Sequence, residues 1–237
     1  MSWESLVIRW DLFWATVVNP FFYNRILLGL KNTALIAFLG FIIGFLFGSF
    51  LAVLKLLPKN FQISRVLSKV CDVYVAIFRG TPMAVQLLVS FYMLLPLFGL
   101  QADSVTVCIV MFGLNSAAYV CEIMRGGILS VDSGQMEAGR SLGLSHSKTM
   151  IKIIIPQAIK NILPTLGNEL ITLVKETSIV SFVGAVDLFT AFSFIGGENY
   201  EFMIPYLMMA LIYIFIVVLL TVLIKVLERR LRASDKR

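Results

Sequence analysis

The sequence predicts an all-α integral membrane protein of five transmembrane helices, its amino terminus outside and its carboxyl terminus in the cytoplasm. Three observations carry this. Of 237 residues, 59% are hydrophobic and only 14% charged, with a mean hydropathy of +0.90; such a chain cannot cover a soluble surface with polar groups. Its apolar runs reach the roughly 20 residues that a helix needs to cross a bilayer core about 30 Å thick. Its lysines and arginines gather in alternate connecting segments, and such segments stay in the cytoplasm.

Each span follows from these rules in chain order. Residues 33–54 contain no charge. Residues 82–100 form a second span, with Thr81 expected as its N-cap and Pro82 in its first turn, where a missing N–H costs nothing. Residues 104–121 form a third. Residues 153–181 are apolar but interrupted by Pro156, Lys160, Pro164, Glu169 and Lys175, so the fourth crossing is expected to start near Ile162. Residues 202–224 form the fifth, ending at Lys225.

Lys55, Lys59, Arg65 and Lys69 follow span one, Arg125, Arg140, Lys148 and Lys152 follow span three, and Lys225 to Arg237 follow span five, so these regions are assigned to the cytoplasm. Residues 80–124 and 176–224 contain no lysine or arginine. Parity then makes 178–195 a re-entrant or surface segment. Residues 1–25 hold all three tryptophans, Trp3, Trp10 and Trp14, beside Arg9 and Asp11, a mixture that suits an interfacial helix. The net charge of +6 is scattered in short clusters between apolar blocks, which fits an anionic membrane lipid surface and not nucleic acid. Cys71, Cys108 and Cys121 show no metal-ligand spacing and are read as packing residues. No cofactor is indicated.

The cytoplasmic segment between spans three and four is polar and punctuated. Gln135 to Leu142 suits a short helix, Gly143 a free joint, Ser145 the cap of a second short helix, and Pro156 the bend into the membrane. Two helices joined by a glycine make a docking knob; the plainer alternative is an amphipathic helix lying idle on the bilayer. Glu137-Ala138-Gly139, then Gly143, Ile153 and Pro156 resemble the EAA loop of importer-type ABC transporter permeases, with Gly139 and Ile155 as departures. Phe78-Arg79-Gly80-Thr81-Pro82 with Gln86, Leu114-Asn115-Ser116 with Tyr119 and Glu122, Arg125-Gly126-Gly127, and Gly167-Asn168-Glu169 with Lys175-Glu176-Thr177-Ser178 resemble the polar amino acid importer branch of that superfamily.

The resemblance covers about residues 26–232, a permease transmembrane domain of the type I ABC importer fold with a coupling loop at 132–156 and a tail at 233–237. It implies a bacterial inner-membrane transport subunit that imports a polar amino acid. It also implies separate ABC ATPase subunits, a second permease copy forming a homodimer or heterodimer, and an extracytoplasmic solute-binding protein. Glu137, Ala138, Gly139 and Gly143 would meet the ATPase. The chain has no Gly-Lys dipeptide, so the phosphate loop of an ATPase must belong to another chain.

Glu169 and Glu176 are seven residues apart and share a helix face; they are candidates to line the path, where they would suit a basic amino acid. The alternative is that Glu176 ends the helix beside Lys175 and Glu169 is held by hydrogen bonds. Asn115 and Tyr119, an i, i+4 pair, are path candidates or interhelical glue. Arg79 is a further candidate, although snorkelling to the membrane boundary accounts equally for Arg79 and Arg125. His146 has no partner set in sequence and reads as a surface residue. An ion-coupled secondary transporter or channel would use the same spans but leaves the loop motif unexplained.

Overall fold

The computed structural model describes residues 3–57 and 61–233, all of whose regular structure is helical. In chain order these are α1 (Trp3–Val17), α2 (Pro20–Leu56), α3 (Gln62–Gly80), α4 (Met83–Leu97), α5 (Ser104–Leu129), α6 (Ser133–Ser141), α7 (His146–Val183), α8 (Leu188–Asn199) and α9 (Met203–Ala233). Among the described residues, three helices are long and apolar enough to cross a membrane alone: α2, α5 and residues Met203–Arg230 of α9. Crossings number up to five if α3 with α4, and α7 with α8, each count as one broken span.

The chain divides into two compact units. Unit 1 takes residues 3–40, 82–112 and 172–219, and unit 2 takes 41–81, 113–171 and 220–233. In unit 1, Phe13 of α1, Phe22 of α2, Leu188, Phe192 and Ile195 of α8 and Ile204 of α9 form a buried core. The turn between α7 and α8 is tied to α2: Asn32 Nδ2 donates to the Val186 carbonyl at 2.8 Å, and Leu188 N–H donates to Thr33 Oγ1 at 3.3 Å. The fully buried Asp187 caps α8, accepting from the N–H groups of Phe189 and Thr190.

In unit 2, Leu51 and Ala52 of α2, Cys71 and Val75 of α3, and Ala118 and Cys121 of α5 share one core, so two of the cysteines do pack. Gly44 and Gly48 bring α2 against α5. A Cβ on Gly44 would lie 2.6 Å from Ser116 Cβ, and one on Gly48 2.6 Å from the Ala117 carbonyl. This is the small-residue spacing that lets membrane helices approach closely.

Several expectations need correction. Residues 62–80, assigned to a cytoplasmic loop on their charges, are helical: Ser64, Ser68, Cys71 and Val75 are buried on one side, while Ile63, Val66, Val70, Val73 and Ile77 are exposed on the other. An apolar face turned outward is the pattern of lipid surroundings and hides a span from a search for continuous apolar runs. Lys59 lies outside the described residues. Thr81 does not cap α4. The following proline drives it to extended backbone (φ −121, ψ 144), its hydroxyl donates back to the Ile77 carbonyl at 2.7 Å, and Pro82 itself occupies the cap position.

The expected interfacial helix over 1–25 ends at Val17, and residues 20–25 already belong to α2. Trp3, Trp10 and Trp14 are exposed on it. Arg9 of α1 pairs with Glu201 ahead of α9. Of the two alternatives for residues 178–195, the surface segment is excluded, because α8 buries Leu188, Ala191 and Phe192 in unit 1, and the bent pair of α7 and α8 is compatible with a re-entrant segment or a broken span.

The fourth apolar segment is helical from His146, with no second short helix and no interruption at Pro156. Proline removes a donor and its ring crowds the carbonyl four residues back. Here residues Met150–Ile154 open into a π-turn two positions before Pro156, and Ser90–Leu94 do the same two positions before Pro96. A widened turn accommodates the ring while the helix continues.

The glycine contacts yield a paired expectation for purified protein in detergent. Gly48→Val should lower the thermal midpoint, an overpacking cost of about 1–3 kcal/mol. Gly126→Ala, where a Cβ meets nothing within 4 Å, should hold or raise it, because alanine is the better helix former by about 1 kcal/mol.

Candidate functional site

Unit 2 carries two groups of the residues singled out in the sequence. The first is the loop of α6. Asp132 caps the helix, its Oδ1 accepting from Gly134 N–H at 2.6 Å. At the other end Gly143 takes φ +80, a left-handed value that favours glycine. Leu142 N–H donates to the Ala138 carbonyl and Leu144 N–H to the Gly139 carbonyl, both at 3.1 Å, and Gly143 N–H donates to the Arg140 carbonyl at 3.0 Å, closing the helix end. Ser145 Oγ then accepts from Lys148 N–H at 3.3 Å, capping α7 as the sequence expects.

Glu137 and Ala138 are exposed, as is Leu142 at 81%. Gly139 is buried: a Cβ there would lie 2.5 Å from Thr149 Cγ2, so α6 rests on the first turn of α7 through this glycine. The substitution of glycine for the motif's small residue therefore has a packing cause. An exposed leucine beside the motif was not singled out in sequence, where the next position, Gly143, drew the attention.

The second group lies along α5. Asn115, Tyr119, Glu122 and Gly126 are spaced four, three and four residues apart, one helix face. Asn115 is buried and its Nδ2 donates to the Phe78 carbonyl at 3.2 Å. In a continuous helix that carbonyl would accept from residue 82, which is proline and has no N–H. Asn115 supplies a donor there. Arg79 stands over the Tyr119 ring, 5.2 Å from its centroid, so three path candidates from distant segments, Arg79, Asn115 and Tyr119, meet in space. The cation–π contact gives Arg79 a partner inside the protein.

Glu169 accepts from Ser116 Oγ at 2.9 Å, next to Asn115 in sequence on α5. Glu176 ends the α-helical part of α7 and belongs to unit 1. Arg125 has a partner inside the protein: its Nε and Nη2 both donate to Glu122 Oε2, at 3.0 and 2.8 Å. Lys55, assigned to a loop, closes α2 and pairs with Glu122 at 2.6 Å and Asp72 at 2.8 Å. These pairs join residues 17 to 67 positions apart, a relation that spacing in one chain does not disclose.

Residues 44–233 match the family described as "Binding-protein-dependent transport system inner membrane component". The chain is 39% identical over 210 residues to the arginine transport system permease protein ArtQ of Bacillus subtilis (strain 168), covering 89% of this chain and 94% of that one. It is 37% identical over 229 residues to the L-cystine transport system permease protein TcyB of the same organism, covering 94% and 92%. Among solved structures, "Crystal structure of an amino acid ABC transporter with histidines" superposes with a TM-score of 0.79 at 38% identity, covering 97% of this chain and 99% of that one. The fold is thus that of a type I ABC importer permease, a multi-pass protein of the bacterial inner membrane that is not itself an enzyme, ATP hydrolysis residing in a separate subunit. The chain belongs to the binding-protein-dependent transport system inner membrane components, as the permease subunit of an amino acid ABC importer.

Proposed function

We propose that this chain forms half of the translocation path for a polar amino acid and is driven through α6 by an ABC ATPase. The observation that carries the coupling is the geometry of α6, which rests on Thr149 through Gly139, turns at Gly143 and exposes Glu137, Ala138 and Leu142. An acidic, small and apolar surface of this kind suits a groove with a basic rim, and Leu142 adds an anchor of the sort that dominates docking energies. Force applied there reaches the membrane through α7, which the π-turn at Met150–Ile154 keeps unbroken.

The amino terminus outside, five crossings and a second permease copy complete the arrangement, since five helices enclose a path poorly by themselves. A solute-binding protein delivers the substrate on the outer side, and alternation between outward and inward states follows ATP binding. On the path, Glu169 offers a carboxylate to the cationic end of an amino acid, and Arg79 and Tyr119 offer a cation and a hydroxyl to its carboxylate. Glu176 is the second carboxylate on the same helix and would favour a basic side chain. The relatives named for arginine and for cystine support an amino acid substrate and leave open which one.

Two outcomes test this. Gly143→Val places a branched side chain where φ is +80, a strain of about 1–2 kcal/mol, and should cut recovery of the ATPase in a pull-down at least tenfold while the permease still inserts. Undiminished recovery, or uptake by vesicles lacking nucleotide, would defeat the coupling and favour an ion-coupled carrier. Glu169→Gln should weaken uptake of L-arginine at least tenfold more than uptake of L-glutamine. Equal effects on both would remove the preference for a basic substrate.

A further inference from the structure

We infer that the charged cavity between Lys55, Ser68, Asp72, Glu122 and Arg125 is a second substrate station, one that binds the ammonium and carboxylate shared by every free α-amino acid. The inference rests on the amino acid transport reading above and adds a site and a recognition chemistry to it.

The cavity belongs to unit 2 and holds about 350 Å³, within the range of roughly 300–1,000 Å³ typical of small-molecule pockets. Lys55 comes from the last turn of α2, Ser68 and Asp72 from one side of α3, and Glu122 and Arg125 from α5. The four ions sum to zero charge. Lys55 and Glu122 are the most enclosed, their side chains 10% and 18% exposed, whereas Arg125 and Asp72 are 38% and 57% exposed. Glu122 is held on both oxygens, by Lys55 on one and Arg125 on the other. Asp72 is bound through Oδ1 to Lys55, which leaves Oδ2 outside that pair.

Joining three helices does not require this arrangement, since apolar side chains of similar size do so without the desolvation cost of four ions. A neutral cluster with separated poles has a natural guest. An incoming carboxylate takes the donors of Arg125 and Lys55 that the three pairs do not use, and an incoming ammonium takes Asp72. Each entering charge meets its opposite, so a zwitterion leaves no ion uncompensated. A simple cation or anion would leave one.

The position agrees. Glu122 lies three residues beyond Tyr119 and seven beyond Asn115 on the same face of α5, so the cavity continues the line that begins with Asn115 and the Arg79–Tyr119 stack. The next position on that face is Gly126, where a Cβ would meet nothing within 4 Å, and the line stays open. It shares unit 2 with the loop of α6, the end that the lysines and arginines assign to the cytoplasm. An amino acid leaving Arg79 and Glu169 would find here a second pair of opposite charges.

The test uses the full chain in lipid nanodiscs, with radiolabelled L-arginine and L-glutamine as probes and a melting curve for every variant. Saturation should show two sites per chain. Asp72→Asn should weaken one of them at least tenfold, about 1.4 kcal/mol, and Glu169→Gln the other. Ser68→Met fills the cavity from a buried position (Ser68 is 6% exposed) and breaks no ion pair; it should abolish the same site as Asp72→Asn while the protein melts within a few degrees of the unaltered chain. Agmatine, which keeps the side-chain cation of arginine but has no carboxylate, should fail to displace the probe from that site. A single site that responds to Glu169→Gln and ignores both Ser68→Met and Asp72→Asn overturns the station and leaves the transport reading standing. No binding of either amino acid overturns both.

Discussion

Hydrocarbon offers no hydrogen bonds, so a carbonyl that loses its helical donor inside a membrane must find another partner in the protein. Three proline positions of this chain, Pro82, Pro96 and Pro156, are organised by that constraint. Pro96 and Pro156 are preceded by π-turns that let a helix pass a ring without breaking. Pro82 is handled otherwise: the chain opens into two extended residues, and the Phe78 carbonyl receives the amide of Asn115 from another helix. Two solutions to one problem produce two local structures. The helix from His146 stays continuous past Pro156, and the break at Thr81–Pro82 brings a cation, an aromatic ring and an amide to one place.

Close packing depends on a second economy. Without a strong hydrophobic drive between helices in lipid, contact comes from small residues and polar pairs. Gly44 and Gly48 admit Ser116, Ala117 and Val120, and Gly127 admits Ile162, so α5 is met by α2 on one side and α7 on another. The hydroxyl of Ser116, brought close by Gly44, donates to Glu169. A hydrogen bond to a carboxylate on the candidate path therefore follows from the absence of a side chain on a neighbouring helix.

What was legible in the sequence was what depends on a residue and its near neighbours. The uncharged run at 33–54, the polar segment at 132–156, the cap at Ser145 and the joint at Gly143 all follow from local chemistry. The helix at 62–80 escaped because its apolar residues recur every three or four positions among charges, which reads as a loop when continuous runs are sought. The ring-driven extension of Thr81 was available in the Thr-Pro pair but was outweighed by the cap preference of threonine. Arg125 reads as a boundary residue because it precedes Gly126-Gly127 at the end of a span, whereas its partner three residues earlier is also held by Lys55, on a helix that ends 69 residues before Arg125. Composition ranks such groups one at a time, whereas the cluster exists only when three helices converge.

The turn at Gly143 illustrates how narrow a requirement can be. No atom lies within 4 Å of the place a Cβ would occupy, yet φ there is +80. Room is ample; handedness is what forbids a side chain. A mirror-image alanine installed by chemical ligation would therefore sit there without strain and would stiffen the corner that a branched natural side chain strains, separating the sharpness of the turn from its looseness.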